Sequence, residues 1–173
     1  MPRDMERIVE VGINYCDKDV KQAISYIINK LYKIWFILIC ISAVILSMLI
    51  YGYIYGFSSY LKGQTIVFTV CGFLFYVIYY QIPVNRYVAF YRKRKGGTYT
   101  FSDQDIKIVG EEVQSICAWS IFKKGYDIPN SFLLSDENKF FYIFPKRCFD
   151  NVADIEILQQ LMLDKIKDFK VYK

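Results

Sequence analysis

Two apolar runs, Ile34 to Tyr55 and Thr65 to Ile82, decide most of what this chain can become. The first is 22 residues without a charge, about 33 Å as a helix at about 1.5 Å per residue and enough for a hydrocarbon core of about 30 Å. The second is shorter, about 27 Å, and its apolar character resumes after Pro83. In lipid the backbone has to satisfy its own hydrogen bonds, so runs of this length are expected as helices. Gly56 to Gln64 between them holds turn-forming glycines and serines and predicts a tight antiparallel link. A chain of 173 residues has too little else to bury two such helices in a water-soluble core. The expectation is a transmembrane hairpin.

Basic residues orient it. Lys21, Lys30 and Lys33 precede the first run, and Arg86, Arg92, Lys93, Arg94 and Lys95 follow the second, against Lys62 alone in the link. That bias predicts both termini in the cytoplasm. Residues 1 to 6 show no secretory cleavage pattern, so the first helix reads as a retained anchor. The net charge of +5 is concentrated beside the second run, a placement that suits anionic headgroups and not nucleic acid.

Several chemistries find no support. The chain has no histidine, which removes Ser-His-Asp and Cys-His nucleophile sets and histidine metal sites. Cys16, Cys40, Cys71, Cys117 and Cys148 have no CxxC spacing and read as free thiols. Glu111-Glu112 and Asp136-Glu137 read as solvated turns, and Gly96-Gly97 lacks the continuation of a phosphate loop. Neither run holds an acidic or basic residue, so no ion-coupled path is visible. The expectation is a protein that is not an enzyme and carries no cofactor or metal.

Outside the hairpin the periodicities change. Val9, Val11, Ile13 and Tyr15 alternate with polar or small residues, the pattern of a half-buried strand, and a lone strand needs a partner further along the chain. Residues 1–16 are therefore assigned to the same domain as residues 97–173, with 17–91 as amphipathic helix plus hairpin. Val20, Ala23, Ile24, Ile27, Ile28 and Leu31 keep helical spacing after Asp17 and Asp19, and with no Pro or Gly before Gly52 this helix is expected to run unbroken into the first apolar run. Pro83 is expected to kink the second helix, which continues to about Tyr91. From Thr98 short strands recur between turn residues, including Ser131 to Ser135 and Lys139 to Phe144. A closing helix from near Asn151 places Ile155, Leu158, Met162, Ile166 and Phe169 on one stripe. Six or seven strands closed by such a helix predict an α+β membrane protein with a cytoplasmic PH-like antiparallel β-barrel capped by a C-terminal helix.

The stretches Gly97-Thr-Tyr-Thr-Phe-Ser-Asp103, Ala118-Trp-Ser-Ile121, Phe140-Phe-Tyr-Ile-Phe-Pro145 and Lys146-Arg-Cys-Phe149 follow one another as in the YcxB-like family of bacterial membrane proteins, which the chain resembles from Tyr99 to about Ile166. The resemblance implies two spans, a bacterial inner-membrane location and a cytoplasmic PH-like domain. It brings no catalytic residues.

Two functional expectations follow. One is a non-enzymatic binding module for a protein or an anionic lipid, with Arg92, Lys93, Arg94, Lys95, Lys123, Lys124, Lys146 and Arg147 as its membrane-surface or partner contacts. The other is an immunity protein that protects its producer from a membrane-active toxin encoded nearby. There the helix-packing candidates Ala43 and Ser47, with Gly52 and Gly56 on the opposite side, admit close contact with a toxin or a second copy of the chain.

Overall fold

A computed structural model describes residues 7–94, 96–110 and 114–172. Lys95, Glu111, Glu112, Val113, Lys173 and the first six residues lie outside the described residues. The chain divides into two compact units, one of residues 1–23 and 88–173 and one of residues 24–87.

The first unit is built on two four-stranded sheets. In sheet A the order is β1 (Val9–Ile13), β2 (Gly97–Phe101), β3 (Asp105–Gly110) and β4 (Gln114–Ala118), all antiparallel. The alternation at Val9, Val11 and Ile13 has its physical reason here: those three side chains are buried, and the strand pairs with β2 from Val9 opposite Phe101 to Ile13 opposite Gly97. Sheet B runs β7 (Phe141–Pro145), β6 (Ser131–Asp136), β5 (Phe122–Ile128) and β8 (Asp168–Val171), with β8 parallel to β5. A 3-10 turn at Trp119–Ile121 carries the chain from one sheet to the other. The strands thus form two sheets and no closed barrel, which corrects the expected barrel: the ladder ends at β4 on one side and resumes as a separate sheet at β5.

One core joins the sheets. Val9, Val11, Tyr99, Phe101 and Ile106 of sheet A meet Phe132, Leu134 and Phe144 of sheet B, and Leu158, Leu161 and Met162 come from α5 (Val152–Lys165). Phe101 and Phe144 lie edge to face at 5.2 Å between ring centres. Each fully buried side chain of this size contributes about 1.5–3 kcal/mol. The closing helix is shorter than its stripe suggested. It stops at Lys165, and Phe169 sits instead on β8, where its ring fills the space a side chain on Gly125 would take. An added β-carbon at Gly125 would lie 2.7 Å from that ring.

The second unit contains α2 (Ile34–Tyr55) and α3 (Ser59–Tyr76), both long and apolar enough to cross a membrane. Their register is antiparallel: Met48 faces Thr65, Ile41 faces Gly72 and Trp35 faces Tyr80. Gly72 is required for the approach, because a β-carbon there would sit 2.9 Å from Ile41. The link is only Gly56–Ser58. The Ser58 hydroxyl accepts from the Leu61 amide at 3.1 Å and starts α3 six residues before the apolar run, so Lys62 and Gln64 are helical.

One continuity expectation is corrected and the other is met. α1 (Asp17–Tyr32) does not run into α2, because Lys33 between them adopts left-handed φ 50° and ψ 39°. Asn29 stabilises the break twice, its carbonyl accepting from the Lys33 amide at 2.7 Å and its side chain from the Trp35 amide at 3.1 Å. The second helix passes Pro83 without stopping, as expected. A π-helical turn, Val77–Gln81, widens the backbone just ahead of the proline, and α4 (Ile82–Lys93) continues beyond Tyr91.

Candidate functional site

The basic residues were to form a contact surface, and their surroundings in the β-rich unit decide how many are free to do so. Pro145 ends β7, and the chain enters a 3-10 turn, Lys146–Cys148, pinned by the Lys146 amide donating to the Asn130 carbonyl at 2.9 Å. This sets Lys146 and Arg147 on the wall of an open cleft of about 650 Å³, completed by Cys16, Lys18, Asp19 and Gln22 from the start of α1 and by Pro129 and Asn130 from the β5–β6 turn.

Lys146 and Arg147 are both already paired. The Lys146 ammonium lies 2.5 Å from the buried Asp127 carboxylate and 4.9 Å over the Phe132 ring. Gln159 donates to the other Asp127 oxygen at 2.8 Å. Arg147 donates to Asp19 at 2.8 Å and to the Asn14 carbonyl at 2.7 Å, and the Asp19 hydrogen bond holds its pKa above the ordinary arginine value. Removing one member of the Lys146–Asp127 pair would leave a buried charge uncompensated, so these side chains hold the fold together before they hold a ligand.

The remaining cations are elsewhere. Lys123 pairs with Glu137 at 2.9 Å and Lys124 with Asp168 at 3.5 Å, both on β5 and neither in the cleft. Arg92 pairs with Asp17, and the Arg94 guanidinium lies 5.7 Å over the Phe90 ring. Lys93 is exposed. The structure therefore brings together Lys146 and Arg147 of the expected set. It adds Lys18, Asp19, Gln22 and Asn130, whose sequence signals were a helix start and a turn but no hint that the two meet.

The helix-packing candidates separate as well. Ala43 and Ser47 are exposed on α2, whereas Gly52 is buried under the Phe57 ring, which a β-carbon would meet at 2.3 Å. Gly56 has φ +90° and ends α2, the left-handed region that favours glycine. These two glycines serve the turn.

A tyrosine cluster was not expected as a unit. Tyr91 of α4 is 2% exposed. Its hydroxyl donates to the Phe141 carbonyl at 2.8 Å and accepts from the Ile143 amide at 3.1 Å. Its ring centre is 4.5 Å from that of Tyr15, whose hydroxyl lies 3.3 Å from the Tyr99 hydroxyl. Burial, then the neighbouring Tyr99 and Tyr91 phenols, pushes the Tyr15 pKa far above the ordinary tyrosine range, so Tyr15 stays neutral.

Among known proteins, the sequence model of the YcxB-like protein family matches residues 101–162. The chain carries a YcxB-like region there, from the end of β2 through most of α5. No curated protein and no solved structure gives a significant match.

Proposed function

We propose that this is a two-span protein of the bacterial inner membrane, with both termini cytoplasmic, that presents a non-enzymatic PH-like binding module to a protein or anionic-lipid partner. The observation that carries the reading is the surface of α2 and α3. Leu46, Ile50, Ile54, Ile66, Val67 and Phe73 all stand exposed, an apolar expanse that a water-soluble protein does not leave uncovered. Aromatic residues bracket it. Trp35 and Tyr80 pack at one end, and Tyr53, Tyr55 and Tyr60 crowd the other. Twenty residues of helix between Trp35 and Tyr55 span about 30 Å, the thickness of a hydrocarbon core. Lys30, Lys33 and Arg86 lie toward the Trp35 end and Lys62 toward the other, which supports the cytoplasmic assignment of the former. The PH-like reading is supported by two sheets sharing one core with a C-terminal helix.

The module's contact surface is the cleft. Its paired charges offer polar recognition more than raw attraction, with Lys18 as the wall cation for which no carboxylate lies within ion-pair distance among the described residues. The test has two steps. The protein should stay in membranes through alkaline carbonate, and the exposed Cys16 should react with a membrane-impermeant maleimide only after permeabilisation; labelling in intact cells would reverse the topology. A photocrosslinker at Asn130 should then give a discrete adduct, protein or lipid, and one at Lys107 on sheet A should not. Adducts at neither position would end the binding-module reading.

The immunity reading remains a second proposal, favoured by the outward exposure of Ala43 and Ser47 on α2, where a close helix contact within the bilayer is sterically open. Co-expression with the neighbouring gene products tests it. If none is toxic, or if toxicity persists beside this protein, the proposal fails.

A further inference from the structure

The second apolar helix does not end where the β-rich unit begins. From Ser59 to Lys93 it is one helix of 35 residues, and its last turns belong to that unit. Tyr91 is the side chain those turns bury. β7 is the edge strand of sheet B, and the Phe141 carbonyl and Ile143 amide are the groups a next strand would occupy. The Tyr91 hydroxyl occupies both, as acceptor from one and donor to the other. Its ring meanwhile lies against Tyr15, which reaches Tyr99 on β2 of sheet A. One residue of this helix is therefore linked to both sheets, directly to sheet B and through Tyr15 to sheet A. α1 offers no comparable continuity, because the left-handed Lys33 separates it from α2.

We propose that Tyr91 is the coupling residue between the second span and the domain: displacement of that helix reaches the edge of sheet B through the Tyr91 hydroxyl and sheet A through its ring. The proposal rests on the membrane reading above. It makes the domain responsive to what happens to the helix in the bilayer, including thickness, tilt and contact with another membrane protein.

The experiment uses the full chain in nanodiscs of short-chain and of long-chain phosphatidylcholine, because a change in hydrocarbon thickness forces a spanning helix to tilt or shift. Amide hydrogen exchange is followed at Ile143, with Leu133 in the interior of sheet B as reference. In the wild-type chain Ile143 exchange should differ about tenfold between the two thicknesses while Leu133 stays constant. Tyr91→Phe keeps the ring and removes both hydrogen bonds. It should make Ile143 exchange fast in both discs and abolish the difference. Lys33→Gly, at the interrupted connection, should leave the difference intact.

Equal Ile143 exchange at both thicknesses in the wild-type chain overturns the proposal, whether or not Tyr91→Phe folds. So does a wild-type-sized difference in a Tyr91→Phe chain whose Leu133 protection is normal. A chain that does not co-elute with the discs at all defeats the membrane reading, and this proposal with it.

Discussion

The two helical connections of this protein differ in a way that their residue types alone do not explain. The connection from α1 to α2 contains no proline and no glycine, yet it breaks at Lys33. The connection from α3 to α4 contains Pro83, yet it is continuous. The difference is in how the backbone groups near each point are satisfied. At Lys33 the Asn29 carbonyl and side chain supply acceptors for the Lys33 and Trp35 amides, which makes the left-handed residue tolerable. At Pro83 the π-turn moves the pairing by one residue, with the Ile82 amide donating to the Val77 carbonyl just ahead of the residue that has no donor. Helix breaking is thus decided by the local hydrogen-bond account and not by residue type alone.

The largest effect expected from breaking this comparison is at the continuous side. Tyr91→Ala removes a buried ring and both of its hydrogen bonds to β7. The β-rich unit should lose about 3–5 kcal/mol, the range for truncating a buried aromatic. Chemical denaturation in detergent, followed by the fluorescence of the buried Trp119, measures it. A loss below about 1 kcal/mol would mean that α4 is an ornament on the unit and not part of it.

The interrupted side makes a prediction of sign. A left-handed non-glycine residue costs about 1–2 kcal/mol, so Lys33→Gly should stabilise the protein by about 1 kcal/mol. Were the helix straight there, the same substitution would destabilise by about that amount. Pro83→Ala is the matching change on the other side. In an ordinary helix interior it would gain about 3 kcal/mol, but with the π-turn already absorbing the ring it should change stability by less than about 1 kcal/mol. Thermal melts of the two variants beside the wild type check both statements.

Legibility in the sequence follows the range of the interaction that decides each feature. The strand at Val9 and the apolar helices were readable because their signal is local: a period of two, or a run without charge. β5 was not, since Phe122-Lys-Lys-Gly-Tyr-Asp-Ile128 lacks alternation, and what makes it a strand is pairing with β6 on one side and β8 on the other. β8 was read as the end of a helix because Phe169 falls on the stripe of Ile166; its place beside β5, on the space left by Gly125, overrides that local preference. The cleft was legible only as separate pieces. Arg147 looked like an exposed contact residue, and its partner Asp19 lies 128 positions away. No spacing rule reaches that far, and the pairing of Lys146 with Asp127 was hidden because it depends on the β5–β6–β7 arrangement, in which β5 itself was not legible.

The smallest effect sharpens the comparison where the two helical connections meet the β-rich unit. Arg92 in the last turn of α4 is paired with Asp17 in the first turn of α1, both well exposed. The Arg92 hydrogen bond lowers the Asp17 pKa below the ordinary carboxylate value. The folded-state value is then below the unfolded one, so the stabilisation is complete above about pH 4 and is lost as pH falls through the folded value. An exposed pair contributes little and is screened by salt, in contrast to Tyr91 in the same helix. Asp17→Asn should therefore lower the melting temperature slightly at pH 7 and low ionic strength, and the deficit should shrink as pH falls below the ordinary carboxylate range and vanish in about 1 M salt, where the screening length is about 3 Å. A deficit that survived high salt would place this surface bond, and not the buried tyrosine, among the fastenings of the second helix.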